Sequence, residues 1–231
     1  MTSKDSLQSI ADRITTEQGH IDVLFANSGI GGPGVPFKKP ASASGDVKPT
    51  LQEWRDALWS VPMEDFTQTL HVNCTGVMYT VLAFLPLLIK GNERRNPSER
   101  RQRSQILVTS SIAAWNRTIP HNPSYPASKA AVLNLVKTLS TKLAPEGIRV
   151  NCLAPGLYTS EMTAGHSAVK EGMEPDEDGA LPADVAPEQR MGGLEDMAAT
   201  ALYMMGAGGA YLSGSVLMTD GGRAGQMPSS Y

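Results

Sequence analysis

The sequence predicts a single α/β domain: a parallel sheet with helices on both of its faces. Two observations carry this. Four short apolar runs, at 21–26, 105–111, 148–156 and 215–219, read as strands, and segments of helical period lie between them. With 231 residues, 41% of them hydrophobic, the chain can bury one sizeable core, whereas two domains would each be small.

The first expected helix is 5–16, because Leu7, Ile10, Ala11 and Ile14 recur at helical spacing. "IDVLFA" (21–26) is a short apolar run ending in Asn-Ser-Gly, hence a buried strand. Residues 31–50 carry four prolines with several glycines and serines, and read as a loop. A second helix covers roughly 63–89, with Phe66, Leu70, Val77, Val81, Phe84 and Leu88 on one stripe. Asn73 falls on that apolar stripe, an odd place for an amide. A polar connection (91–104) leads to the strand "QILVTSS" (105–111). The helix 125–147 follows, with Gly147 placed to cap its C-terminus, and then the strand "IRVNCLAPG" (148–156). Residues 159–192 form a long polar loop rich in Pro, Gly, Asp and Glu. A helix near 194–205 and the strand "SVLMT" (215–219) close the chain at "DGG" (220–222).

Composition excludes several classes. A net charge of −3 sets up no global field for nucleic acid or an anionic membrane. The basic run Arg94, Arg95, Arg100, Arg101, Arg103 is interrupted by Glu93 and Glu99, lacks aromatics, and reads as a solvated loop. The most apolar stretch, 77–89, is broken by Pro86 and is too short to span a bilayer. Two thiols, Cys74 and Cys152, and no secretory signal point to a reduced, cytoplasmic setting. The four histidines show no metal-ligand spacing, and no G-x-S-x-G supports a serine hydrolase.

"LFANSGIGGPG" (24–34) spells Gly29-x-Gly31-x-x-Gly34, a dinucleotide fingerprint directly after a strand. A working fingerprint must open a helix, so that a pyrophosphate meets free N–H groups at the helix N-terminus. Here Pro33, Pro36 and Pro40 prevent a helix, and no second strand ends in an acidic residue about 20 positions on. The spacing is read as an ordinary turn.

Tyr125 and Lys129 lie one helical turn apart and share a face. A nearby ammonium favours the phenolate, so Lys129 is expected to depress the pKa of Tyr125. Alone, Y-x-x-x-K is a weak signal. Its neighbours strengthen it: a strand ending in Ser110-Ser111 precedes it, "IRVNCLAPG" follows, and Asn73 stands in an earlier apolar helix.

At this point the chain resembles the short-chain dehydrogenase/reductase family, with its motifs in order over residues 1 to about 222. "LFANSG" is similar to the family's N-N-A-G segment, with Ala26 replacing the first Asn. "HVNCTG" matches the helix carrying the catalytic Asn, and "VTSSIAA" the serine strand. "YPASK" matches the Tyr/Lys motif, "RVNCLAPG" the Pro-Gly strand, and "MTDGG" the terminal strand. The resemblance implies a Rossmann-like fold and an oxidoreductase that transfers hydride between NADP (or NAD) and a small-molecule carbonyl or secondary alcohol.

By that resemblance Tyr125 is the general acid/base, and Lys129 tunes it and holds the nicotinamide ribose. Ser111 hydrogen-bonds the substrate oxygen, with Ser110 the alternative since the Ser111–Tyr125 spacing is one residue long for the family. Asn73 binds a water linking Lys129 to solvent. Asn27 and Gly29 pack beside the adenosine ribose. Pro155, Gly156 and the backbone of Tyr158 face the nicotinamide, and Ser160 stands where the family usually has Thr. Residues 159–192 form the substrate lid, and the helices 63–89 and 125–144 pair copies into a homodimer or homotetramer.

"MTSKDSLQSIA" looks like family text from just after its third strand, so the first β-α-β unit and its glycine-rich turn are expected to be absent. That would leave "IDVLFA" as an exposed apolar edge. The alternative function is therefore a catalytically silent relative that binds cofactor weakly and is poorly soluble. The choice of NAD or NADP and the substrate are not legible. The proline-rich insert and the lid suggest something larger than a tiny alcohol, a polyketide-type ketone of secondary metabolism among the options.

Overall fold

The computed structural model describes residues 2–35, 49–96, 102–117 and 122–229. Helix α1 (Lys4–Glu17) starts at Ser3, whose hydroxyl accepts from the Ser6 amide, and buries Leu7 and Ala11. It ends at Gly19, which takes the left-handed conformation (φ 77) and donates its amide to Ile14. Strand β1 (Val23–Ala26) follows. The run 31–50 is irregular where it is described; residues 36–48 lie outside the described part.

Helix α2 (Leu51–Trp59) was not anticipated. Thr50 and Glu53 form a reciprocal capping box, each side chain accepting from the other's backbone amide. The helix buries no residue, and Leu51 and Trp59 are exposed. Local capping, not core burial, makes it a helix, so apolar periodicity had little to report.

The long helix expected at 63–89 is three consecutive pieces: α3 (Met63–Leu70), a π-turn at His71–Thr75, and α4 (Gly76–Glu93). The wider turn inserts one extra residue and shifts the phase of the stripe. Val77, Val81, Phe84 and Leu88 are buried as expected, but Phe66 is exposed and Thr69 is buried in its place. By length and composition Met63–Glu93 would suffice to cross a membrane. Val77, Val81, Phe84, Leu87 and Leu88 instead pack against α1 and the sheet, while Met63, Phe66, Tyr79 and Leu82 are exposed.

Strand β2 (Gln105–Thr109) stops before the serine pair. Helix α5 (Ser124–Leu143) places Pro126 within its first turn, where no backbone donor is missed. It ends short of the expected 147: the chain makes a further turn before Gly147 (φ 67), and Ile148 donates back to Leu143. Strand β3 (Arg149–Pro155), helix α6 (Leu194–Met205) and strand β4 (Val216–Thr219) complete the fold.

The four strands run parallel in the order β1-β2-β3-β4. Alternation along β2 divides the core. Ile106 and Val108 join α4 and α5 on one face, while Leu107 meets Leu153 and Met204 of α6 on the other. This is the doubly covered, Rossmann-like α/β sheet that the sequence implied. Strand β1 is an edge, and its Val23 and Phe25 are each 36% exposed. The polar segment 159–192 has only turns and one short 3-10 stretch, yet Leu181, Ala186 and Met191 give it a small buried core against Leu157.

Candidate active site

The expected site residues converge where β1, β2 and β3 end, the usual place for ligands on an open parallel sheet. Ser110 and Ser111 continue β2, and the extended backbone sends their hydroxyls opposite ways. Ser110 Oγ donates to the Lys129 carbonyl (2.8 Å) and holds the helix. Ser111 Oγ accepts from the Ala113 amide (3.1 Å), lies 3.5 Å from the Pro155 carbonyl, and hydrogen-bonds Tyr125. Of the two hydroxyls, that of Ser110 is committed to α5, while that of Ser111 acts on the Tyr125 hydroxyl.

Lys129 is 4% exposed, and its Nζ donates to the Thr109 carbonyl at 3.0 Å. It stands 5.6 Å from the centroid of the Tyr125 ring. Burial draws the Lys129 ammonium down to about 8, weakly opposed by the Cys152 thiol, which burial itself pushes up to about 11. The Tyr125 hydroxyl departs from expectation. Burial raises its pKa, and the Ser111 hydrogen bond acts in the opposite direction. The expected depression by Lys129 is not found, because the ammonium is directed to the Thr109 carbonyl and flanks the ring.

Asn73 sits in the π-turn, 1% exposed. Its amide clamps one peptide: Oδ1 accepts from Ile30 N (2.8 Å) and Nδ2 donates to Ile30 O (2.9 Å). The second Nδ2 hydrogen goes to Ser128 Oγ (2.9 Å), which donates to the Tyr125 carbonyl (2.7 Å). Both amide hydrogens are thus committed, and one Oδ1 lone pair is left for a water. A polar residue on an apolar stripe is explained by the loop it holds.

Asn27 accepts from Thr109 Oγ1 at 2.7 Å, at the surface. Gly29 lies against the site: a Cβ there would come within 3.1 Å of Asn73 Oδ1 and 3.4 Å of Lys129 Nζ. The next glycines do not open a helix, since 30–35 are irregular. Gly156 has a packing reason, as a Cβ would stand 2.7 Å from Asp220 Cα. The Tyr158 hydroxyl bonds Thr219 Oγ1, and its carbonyl accepts from Thr163 Oγ1 (2.5 Å). Ser160 caps the short turn Glu161–Thr163, its Oγ 3.1 Å from Thr163 Oγ1. Tyr158 also lines a cavity of about 350 Å³ with Arg190, Asp196, Thr219 and Asp220; Ser111, Tyr125 and Lys129 are not in its lining. This cavity and the clustered polar groups are therefore separate features.

Three contributors escaped the sequence reading. Ser128 was legible as the hydroxyl one turn after Tyr125. Thr109 acts through its carbonyl and through a side-chain contact to Asn27. Asn122, three residues before Tyr125, ties the glycine loop to α5.

A family profile described as "Enoyl-(Acyl carrier protein) reductase" matches residues 1–224. The short-chain dehydrogenase/reductase PhomF' of Diaporthe leptostromiformis is 42% identical over 230 residues, covering 100% of this chain and 74% of that protein. The chain belongs to the short-chain dehydrogenase/reductase family. A second relative of that family, SAT3 of Stachybotrys chartarum, is 39% identical across 100% of this chain and 85% of its own length. Among solved structures, the RhlG/NADP active-site complex of Pseudomonas aeruginosa superposes with a TM-score of 0.73 at 26% identity. It covers 96% of this chain and 74% of that one. The family that the six motifs suggested is thus shown by both sequence and fold, and the chain is a short-chain dehydrogenase/reductase type oxidoreductase by descent.

Proposed function

We propose that this protein reduces a small-molecule ketone, or oxidises the corresponding secondary alcohol, with NADP or NAD as the partner in hydride transfer. The observation that carries the reading is the buried group Ser111–Tyr125–Lys129 at the sheet's C-terminal edge.

The residues fit the adenosine ribose and the nicotinamide ribose of such a cofactor. Gly29 offers a surface where any Cβ would crowd Asn73 and Lys129, and a buried ammonium with one carbonyl partner keeps two donors for ribose hydroxyls. For a pyrophosphate, the described residues supply no glycine turn opening a helix. When bound, the nicotinamide supplies or accepts the hydride.

The chain's own residues handle the proton and the orientation. Tyr125 Oη exchanges a proton with the substrate oxygen, and its raised pKa keeps it protonated at neutral pH, suited to donating. Ser111 Oγ donates to the same oxygen and steadies the negative charge that develops there. Lys129, still cationic at neutral pH, holds the ribose. Asn73 fixes the Ile30 peptide, so that Asn27 and Gly29 face the cofactor; Pro155, Gly156, Tyr158 and Ser160 form the opposite wall. The segment 159–192 serves as lid, with Met162 reaching Gly31. The protein works in the cytoplasm as a homodimer or homotetramer, a reading supported by exposed Met63, Phe66, Tyr79 and Leu82 along α3 and α4.

A second reading is a relative that binds cofactor weakly. Among the described residues no glycine turn opens a helix for a pyrophosphate, which favours it. One assay separates the two: purified protein with NADPH and NADH across a panel of ketones, alongside Tyr125→Phe. Cofactor oxidation that the variant loses supports the first reading. A wild type without turnover or cofactor binding supports the second.

A further inference from the structure

We infer that Asn122 is a positioning residue that locks the 31–33 loop to the first turn of the helix bearing Tyr125. The inference rests on the oxidoreductase reading for its catalytic consequence but not for its structural one. Asn122 Nδ2 donates to two carbonyls of the loop, Gly31 O at 3.0 Å and Pro33 O at 2.9 Å. Its Oδ1 accepts from the Ser124 amide (2.9 Å) and from Ser124 Oγ (2.6 Å), which approaches Thr69 Oγ1 of α3 at 3.1 Å. Two donors and two acceptor contacts make this amide fully used, and only an amide can face carbonyls on one side and N–H and O–H groups on the other.

The loop has been shaped to receive it. Gly32 has φ 81, and a Cβ there would come within 2.8 Å of both Ser124 Oγ and Thr69 Oγ1. Close by, Asn73 and Ser128 fasten Ile30 to the same helix through the Tyr125 carbonyl. Two polar clamps therefore hold consecutive peptides of one loop onto the turn that carries the phenol. The glycines that imitate a phosphate fingerprint serve this joint: Gly31 presents its carbonyl to Asn122 and its Cα to Met162, whose Sδ would lie 3.5 Å from a Cβ. The distance between the cofactor side of the cleft (Gly29) and the proton carrier (Tyr125) is then set by Asn122.

Asn122→Asp isolates this role. It keeps the acceptor for Ser124 and replaces the loop's donor by a carboxylate oxygen, which repels the Gly31 and Pro33 carbonyls. Hydrogen exchange should show the Ile30 amide, which the adjoining loop presents to Asn73, losing protection while those of β2 and β3 keep theirs. With NADPH and a ketone turned over by the wild type, the KM for NADPH should rise and kcat/KM fall by about 10- to 100-fold, the scale of an ångström-sized misplacement. The KM for the ketone should change little, unlike a loss of folded protein, which would lower kcat alone. Gly32→Ala breaks the joint from the loop side and should give the same pattern, which covers the case in which Asn122→Asp does not fold. Unchanged exchange at the Ile30 amide in both variants, or normal kinetics in an active enzyme whose loop has loosened, overturns the inference. A wild type without turnover overturns the oxidoreductase reading, while the exchange data still decide the lock.

Discussion

Replacing Lys129 by Met should make the folded protein more stable at neutral pH, and the gain should vanish in base. The ammonium is 4% exposed, and burial draws its pKa from 10.5 to about 8. Unfolded, the group binds its proton up to pH 10.5; folded, it loses it near 8. Between those values the unfolded state holds more protons, so stability rises with pH, and below about 8 the full charge penalty is present. The 2.5-unit shift at about 1.36 kcal/mol per unit makes that penalty about 3 kcal/mol at pH 7, falling to about 1 kcal/mol at pH 10. Met removes it, while the lost hydrogen bond to the Thr109 carbonyl costs about 1 kcal/mol. The variant should therefore be about 2 kcal/mol more stable at pH 7 and equal to the wild type, within about 1 kcal/mol, at pH 10. Urea unfolding of both proteins at matched concentration across this range reads the difference, in which every other titrating group cancels. A difference that stays flat from pH 7 to 10, or a Met variant that is less stable at pH 7, refutes the assignment of a strained, buried ammonium. The same variant should lose turnover, so stability and activity would move in opposite directions at one side chain.

Three further outcomes follow from the geometry. Asn73→Ala removes two hydrogen bonds to the Ile30 peptide and strands the buried Ser128 hydroxyl, and should destabilise by about 1–3 kcal/mol, read by urea denaturation; a loss under about 0.5 kcal/mol, the size of ordinary surface changes, would deny the clamp. Gly156→Ala forces a methyl to 2.7 Å from Asp220 Cα and should cost about 1–3 kcal/mol, visible as a lower Tm; an unchanged Tm would show that the β4 turn yields freely. Phe25→Thr on the edge of β1 should raise the soluble fraction on expression without lowering Tm; equal aggregation of the two proteins would mean that this edge is not the sticky surface.

The parallel sheet, its two covered faces and the family were legible because strong periodic signals and spaced motifs report them. What escaped was local and polar. Helix α2 buries nothing, so hydrophobic spacing was silent, although Thr50-x-x-Glu53 was there as a capping box. The π-turn hid inside one continuous helical stripe and moved Phe66 to the surface; Asn73 on the stripe was its visible trace. Tyr125 and Lys129 were placed on one face correctly, but spacing does not say where an ammonium points, and the Thr109 carbonyl redirects it. Burial then sets the direction of both pKa values. Asn122 was invisible for a different reason: its partners lie about ninety residues away, and only the fold brings them together.

The central claim is proton delivery by Tyr125 during hydride transfer, and isotope transfer tests it most directly. Incubating the protein with NADPH deuterated at the transferable position and a ketone should give an alcohol carrying deuterium on carbon. Tyr125→Phe should form it at least about 100-fold more slowly while keeping its circular dichroism and Tm. Deuterated alcohol formed equally fast by the variant would contradict the account, and so would product without deuterium.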